Sequence, residues 1–259
     1  MPATQIHPTA IVDPSAQLGE GVFVGPYCII GPGVALGDGC WLQHHVTICG
    51  PSRIGRDNRF FAYGSIGQQT QDLKYKEEPT YLEIGDGNSF REFVSVHRAT
   101  FPGDATRIGS RGNFLAYAHV AHDCIVGDEV IFSNNGTLGG HVQVGDHVII
   151  GGLSAVHQFC RIGRYAMVGG CTKIVQDVPP FMIADGNPAE IRGINKVGME
   201  RHGFTAETTH EIKEAYRLLY RLNLNTKGAA AAIREKLQPV AEICQLLDFL
   251  DTSERGIIR

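Results

Sequence analysis

The chain has 259 residues, 43% of them hydrophobic, and a formal net charge of −4 at pH 7. This length fits one large domain or two smaller ones, and so mild a charge gives no reason to expect a nucleic-acid partner. No apolar run approaches the ~20 residues of a membrane span, and the opening MPATQIHPTAIVDP lacks the basic and apolar regions of a signal peptide, so we expect a cytoplasmic protein.

A six-residue period runs from residue 6 to about residue 179. Of the 29 residues whose numbers are divisible by six between Ile6 and Ile174, 26 are Ile, Val, Leu or Phe, whereas composition alone would give about 12. Gly often follows these residues, and a small or β-branched side chain often stands four positions after them. A period of six fits neither a helix nor a coiled coil, and it indicates a solenoid of very short strands. We expect both sets of apolar side chains to point inward, and the Gly to permit a tight backbone.

This period resembles that of the hexapeptide-repeat acyltransferases, whose fold is a left-handed parallel β-helix. The resemblance implies three hexads in each coil and about ten coils, stacked roughly 4.8 Å apart. Two polar interruptions, at 72–83 and 102–107, have lengths that are multiples of six. We therefore expect them to loop out of the solenoid without shifting its register.

The pattern changes after residue 190. Apolar residues from Ile212 to Leu222 follow helical spacing, with Thr205 or Thr208 as the N-cap, and two further helices are predicted at 227–237 and from Pro239. The prediction is a mainly β protein with a left-handed parallel β-helix at 1–190 and a C-terminal α-helical domain at 191–259. Such a tail would cover the open end of the solenoid.

Seven cysteines show no metal-binding spacing. Four of them stand at the inward position four residues after the period residue, so we interpret them as small packing residues: Cys28, Cys40, Cys124 and Cys160.

Histidines occupy only outward or corner positions of the repeats. Because His122, Gly140 and Gln158 follow one another at intervals of three hexads, which is one coil, they form a vertical column. The neighbouring His119, His141 and His157 should share that patch, about three rungs or roughly 10 Å tall.

Two chemistries fit the patch. One is a zinc site, which requires three converging imidazoles, as in the gamma-class carbonic anhydrases. The other is general-base catalysis, because His has a pKa of about 6.5. In that case His122 would accept a proton, Asp123 would orient its ring, and the Gly140 N–H would face an oxyanion.

Motifs along the whole chain favour general-base catalysis over the zinc site. The segments QDLKY at 71–75, AHVAHDC at 118–124, GGHVQV at 139–144 and AVHQFC at 155–160 occur in this order, followed by RHGF at 201–204. They closely resemble the UDP-N-acetylglucosamine acyltransferases of lipid A biosynthesis. That family transfers an (R)-3-hydroxyacyl group from acyl carrier protein to the 3-hydroxyl of the UDP-sugar.

The resemblance implies a role for each matching residue. His122 would be the general base, Asp123 its partner, and Gly140 the oxyanion donor. Gly170 would set the length of the acyl chain and, without a side chain, admit about fourteen carbons. The substrate-binding residues would be Gln71, Asp72, Lys74, His97, His119, His141, His157, Gln158, Asn195 and Arg201.

The resemblance also implies a homotrimer with its grooves between solenoids. No metal or resident cofactor is expected, since the 4′-phosphopantetheine arrives on the carrier protein. The sequence departs from the family at Val197, where relatives carry Glu, and at His202, where Arg is common. These changes alter the expected nucleotide contacts.

Four other interpretations remain open. The acceptor could be a 3-amino sugar nucleotide, which would give an amide. The related N-acyltransferase acting later in the pathway carries an extra N-terminal domain before its hexads, whereas the hexads here begin at residue 6. The third is the zinc enzyme, and the last is a scaffold without catalytic activity.

Overall fold

A computed structural model of the protein describes residues 3–259. The chain winds through a three-sided solenoid in which each coil adds one short strand to each of three sheets. Sheet 1 has eleven strands, namely β1 Gln5–Ile6, β4 Phe23–Val24, β7 Trp41–Leu42, β10 Arg59–Phe60, β13 Ser89–Phe90, β16 Asn113–Phe114, β19 Ile131–Phe132, β22 Ile149–Ile150, β25 Met167–Val168, β27 Met182–Asp185 and β28 Glu190–Ile194.

The other two faces are shorter. Sheet 2 contains β2 Ile11–Val12, β5 Ile29–Ile30, β8 Thr47–Ile48, β11 Ser65–Gln68, β14 Ser95–His97, β17 His119–Val120, β20 Thr137–Leu138, β23 Ala155–Val156 and β26 Lys173–Ile174. Sheet 3 contains β3 Gln17–Leu18, β6 Val34–Leu36, β9 Ser52–Ile54, β12 Tyr81–Ile84, β15 Ala105–Ile108, β18 Ile125–Val126, β21 Gln143–Val144 and β24 Arg161–Ile162. We name the corners where the chain passes between sheets the 1–2, 2–3 and 3–1 edges.

The predicted inward positions form the core. From Val24 onward, every apolar residue with a number divisible by six, up to Ile174, is at most 4% exposed. The inward residues of the first coil lack a covering coil, and Ile6 is 48% exposed. Cys28, Cys40, Cys124 and Cys160 are buried and free, as expected, and burial raises the pKa of Cys124 to about 12.

The glycines after the period residues permit a tight backbone, as expected, and they do so mainly through close packing between coils. Left-handed backbone occurs three positions after the period residue, where non-glycine residues such as Tyr27, His45 and Asp123 have φ of 57°, 52° and 61°. The Gly directly after the period residue serves close packing instead. A Cβ on Gly37 would lie 2.6 Å from the carbonyl carbon of Gly55 in the next coil, closer than real Cβ atoms come.

Both interruptions preserve the register. Arg59 pairs with Ser89 and Tyr81 pairs with Ala105, so the first of these coils holds two hexads more than the usual three and the second holds one more. The loops span 69–80 and 98–104, slightly earlier than predicted, because Tyr81–Ile84 and Ala105–Ile108 are strands of sheet 3. Both loops leave the solenoid at the 2–3 edge.

Four helices follow the last hairpin: α1 Lys196–Arg201, α2 Ala206–Tyr220, α3 Thr226–Lys236 and α4 Ala241–Asp251. Thr205 caps α2, where its hydroxyl accepts the Thr208 N–H. The helices pack around Met199, Ile212 and Leu246 in a second core that Phe181 joins to the solenoid. The predicted division at 190 coincides with the start of β28, which pairs antiparallel with β27, and it stays a prediction. Among residues 3–259 no helix is long and apolar enough to cross a membrane.

Candidate active site

The predicted general base lies at the 2–3 edge, directly after β17. The Nδ1–H of His122 donates to Oδ2 of Asp123 at 2.7 Å, and the two side chains are 14% and 7% exposed. Because this bond fixes the proton on Nδ1, the lone pair of Nε2 remains available to a substrate hydroxyl.

Asp123 is held in place from several directions. Its Oδ1 accepts the Thr100 N–H at 3.1 Å, and its own N–H donates to the Thr106 hydroxyl at 2.8 Å. Burial raises the pKa of Asp123, but the hydrogen bonds from His122 and Thr100 outweigh burial and hold the pKa below its usual value. The carboxylate is therefore ionised at neutral pH and stabilises an imidazolium at His122.

The two loops supply supports that the sequence did not reveal. The Thr70 and Thr100 hydroxyls lie 2.8 Å apart, and the Thr100 hydroxyl lies 3.1 Å from Nδ1 of His122. Both threonines are at most 4% exposed. Each threonine stands near the start of a loop. The only sequence signal for their proximity was that both loops leave the solenoid at the same edge.

Gly140 lies one coil above His122 and packs against its ring. A Cβ at position 140 would lie 2.4 Å from Cε1 and 2.6 Å from Nε2 of His122. The Gly140 N–H donates no hydrogen bond to any residue within 3–259, whereas the corresponding N–H of Asp128 at the 3–1 edge donates to Asp146 Oδ1 at 2.9 Å. Acyl transfer to a hydroxyl requires a general base and a donor for the oxyanion, and His122 and the free Gly140 N–H provide this pair.

Asp72 and His141 converge on the same point. Ligand atoms of Asp72, His122 and His141 lie within 4.8 Å of one another, and Nε2 of His141 is 3.5 Å from Oδ2 of Asp123. His141 stacks on Phe159 with ring centroids 4.6 Å apart. Over the described part of the chain, no three imidazoles converge here as the zinc hypothesis requires.

The remaining histidines of the patch surround this centre. His97 donates from Nδ1 to the carbonyl of Gln69 at 2.9 Å, and its ring centroid lies 5.3 Å from that of His119. Burial, together with the neighbouring His97 and His122, lowers the pKa of His119 to about 4. His119 is therefore neutral at pH 7. His157 and Gln158 are exposed two coils above His122.

A groove of about 940 Å³ opens beside the dyad, between sheet 3 and the C-terminal tail. Asp123 and His141 line it, with Phe159 as an apolar wall and Arg161 at its far side. Its volume suits a substrate of the size of a nucleotide sugar or a pantetheine arm.

The other predicted binding residues lie on the first loop and at the start of the helical part of the chain. Gln71 and Lys74 are exposed on the 69–80 loop, beside Asp72. Asn195 is 4% exposed, and its amide caps α1 and donates to the Tyr165 carbonyl, so the structure gives it a structural role. Arg201 is exposed at the end of α1.

Gly170 lies at the 1–2 edge, away from His122. Its backbone is not left-handed, and a Cβ there would meet only the Gly152 carbonyl oxygen, at 3.4 Å. A tight turn therefore does not explain this glycine, because a side chain would fit. The role of Gly170 in acyl-chain selection stays a prediction.

Comparisons with known proteins identify the family of the chain. Residues 177–258 match the second domain of the UDP-N-acetylglucosamine O-acyltransferase family. The acyl-[acyl-carrier-protein]–UDP-N-acetylglucosamine O-acyltransferase of Halorhodospira halophila is 49% identical over 99% of this chain and 100% of its own length, and that of Thermodesulfovibrio yellowstonii is 47% identical over 98% and 99%. This chain belongs to that O-acyltransferase family.

Solved structures of the acyltransferase family extend the match to three dimensions. LpxA from Acinetobacter baumannii superposes with a TM-score of 0.95 at 48% identity, covering 98% of this chain and 99% of that one. The enzyme from Moraxella catarrhalis gives 0.93 at 44% identity, covering 98% and 99%. These relatives are left-handed β-helices, so the predicted fold class is confirmed and the chain is an acyltransferase. The O-acyltransferase relatives do not favour the amide-forming or zinc-dependent alternatives.

Proposed function

We propose that this acyltransferase moves an (R)-3-hydroxyacyl group from acyl carrier protein to the 3-hydroxyl of UDP-N-acetylglucosamine, the first step of lipid A biosynthesis. The observation that carries the proposal is the His122 ring, bound through Nδ1 to an ionised carboxylate and packed on Gly140. The full-length relatives named for this reaction support the choice of substrates.

The reaction follows from the positions of these groups. Nε2 of His122 removes the proton from the sugar 3-hydroxyl as its oxygen attacks the thioester carbonyl, forming a carbon–oxygen bond. The carbonyl oxygen becomes an oxyanion that accepts a hydrogen bond from the Gly140 N–H. When the intermediate collapses, the carbon–sulfur bond breaks and the pantetheine thiolate takes the proton from the His122 imidazolium. No enzyme nucleophile and no resident cofactor enter this sequence.

Asp72 and His141 are proposed to position the sugar. Their side chains converge beside His122, and both can hydrogen-bond a hydroxyl or an amide. Gln71 and Lys74 border this point from the same loop and would contact the phosphates. His97, His119, His157 and Gln158 would line the path of the pantetheine arm.

A homotrimer is part of the proposal. The general base lies at the 2–3 edge, the chain-length residue Gly170 at the 1–2 edge, and Arg201 on the helix that packs beside Tyr165 at the 3–1 edge. The three edges of one solenoid cannot all contact one substrate, whereas a groove between the solenoids of neighbouring subunits brings different edges together. We place the protein in the cytoplasm, where acyl carrier protein and UDP-sugars are found.

The test is an assay matrix with purified protein. UDP-N-acetylglucosamine and its 3-amino analogue are each offered with 3-hydroxyacyl carrier proteins of different chain length. We expect ester formation with the hydroxyl acceptor, and a fall in kcat of at least about 10²-fold in His122→Ala. His210→Ala, which removes an exposed imidazole on α2, is the matched control. Full activity in His122→Ala, or turnover of the amine alone, would contradict the proposal.

A further inference from the structure

A second cluster of metal-ligating side chains lies at the 3–1 edge, away from the acyl-transfer site. Glu129 follows β18 and His147 follows β21, each three positions after an inward residue, so they stack on adjacent coils. His202, the residue after α1, reaches the same place from the helical part of the chain. The cluster therefore joins the solenoid to the C-terminal helices.

The three side chains are close enough to share one ion. Ligand atoms of Glu129, His147 and His202 lie within 4.8 Å of one another. Nδ1 of His147 is 3.3 Å from Oε2 of Glu129, and the two imidazole centroids are 4.4 Å apart. Nδ1 of His147 is buried and has no hydrogen-bond partner within the described residues 3–259. A buried, unsatisfied nitrogen beside a carboxylate oxygen is a costly arrangement unless something binds between them.

The neighbouring residues fix the orientation of these ligands. The Arg111 Nε and Nη2 atoms both lie 3.0 Å from Oε1 of Glu129, which leaves Oε2 directed at His147. The Tyr165 ring stacks on His147 at 4.5 Å with an angle of 9° between the planes, so the imidazole has little freedom to rotate. Supports of this kind around the ligands are usual at protein metal sites.

We propose that Glu129, His147 and His202 bind a divalent transition-metal ion, with Zn²⁺ as the preferred species. Two imidazoles and one carboxylate form a common three-ligand set for zinc, and water completes the tetrahedron. Asp146 adds a second carboxylate nearby that offsets the charge of Arg164. The bound ion fastens the end of α1 to the solenoid, a structural role separate from acyl transfer.

The distinguishing experiment is metal titration of the full-length protein, with Co²⁺ as a visible-absorption probe and Zn²⁺ as its competitor. Wild type is expected to bind Co²⁺ with the spectrum of a tetrahedral site. His202→Gln and Glu129→Gln should each weaken binding at least tenfold and abolish the rise in Tm that Zn²⁺ produces. His210→Gln, with its exposed imidazole outside both clusters, should bind as wild type.

Asp72→Asn separates this site from the other candidate group, Asp72–His122–His141. It should leave the tight Co²⁺ site intact. The proposal is overturned if wild type binds neither ion at micromolar concentration. It is also overturned if His202→Gln binds as tightly as wild type, or if binding is lost in Asp72→Asn alone. Circular dichroism of each variant checks that the fold is retained. Because two ligand variants are used, the test still works if one of them fails to fold.

Discussion

Replacing Gly140 by Ala should displace the general base without disturbing the core. The new Cβ would lie 2.4 Å from Cε1 of His122, whereas carbon atoms in contact prefer about 3.5 Å or more, so the ring must move by about 1 Å. That movement would stretch or break the 2.7 Å bond to Asp123 and misdirect Nε2. A misplacement of about 1 Å costs roughly 10²-fold in rate, so we expect kcat to fall by that factor.

The assay is kcat at saturating UDP-N-acetylglucosamine and acyl carrier protein substrate, together with the Tm of each variant. Gly193→Ala is the matched control, because a Cβ at position 193 would meet no atom within 4 Å. We expect the control to keep wild-type activity and both variants to keep their Tm within a few degrees. A Gly140→Ala enzyme with wild-type kcat would refute the assignment of His122 as the base.

Three further outcomes are expected. Asp123→Asn should lower kcat by about 10⁴-fold at neutral pH, because the amide neither fixes the Nδ1–H tautomer of His122 nor stabilises the imidazolium. Unchanged turnover would contradict this role. Gly170→Met should shift the preferred acyl chain to fewer carbons in a competition assay. It should not lower kcat for the short chain, since the position has room for a side chain. An unaltered preference would remove Gly170 from chain-length selection. His119 has a pKa of about 4 when folded, against 6.5 for the free side chain, so the unfolded chain binds more protons between those values. The contribution of His119 to the free energy of unfolding should be constant above pH 6.5 and fall by up to about 1.4 kcal/mol per pH unit as pH drops toward 4. His119→Gln should reduce the slope of stability against pH in this range in denaturant titrations, and an equal slope would contradict the burial argument.

The periodic part of the fold was predictable because burial repeats with the strand geometry. Ile30, Leu42 and Phe132 are at most 1% exposed, and each stands at a multiple of six. The loops kept the register for the same reason, since an insertion of whole hexads returns the chain to the same phase. The helix α1 was not predicted, because six residues that include Gly198 are too few to show a periodic pattern.

The site could be predicted only in part. The column His122, Gly140 and Gln158 follows from three hexads per coil, which the sequence indicates through the family resemblance. Thr100 escaped notice because its contact with His122 joins residues 22 apart through a loop. Asn195 caps α1 with its side-chain amide, a role that the sequence did not indicate, and its expected part in nucleotide binding stays a prediction. Side chains that depend on loop conformation have no periodic signature.

Both loops and the dyad occupy the 2–3 edge in consecutive coils. The 69–80 loop leaves after β11, the 98–104 loop after β14, and His122 follows β17. The strands on either side pair with those of the next coil despite the loops, with one irregularity between Ile66 and Gln68. Substrate preference can therefore diverge through changes in loop length at this edge while the rest of the prism stays constant. For protein engineering, this edge is the place to exchange whole loops in steps of one hexad, with the catalytic imidazole left on a rigid support.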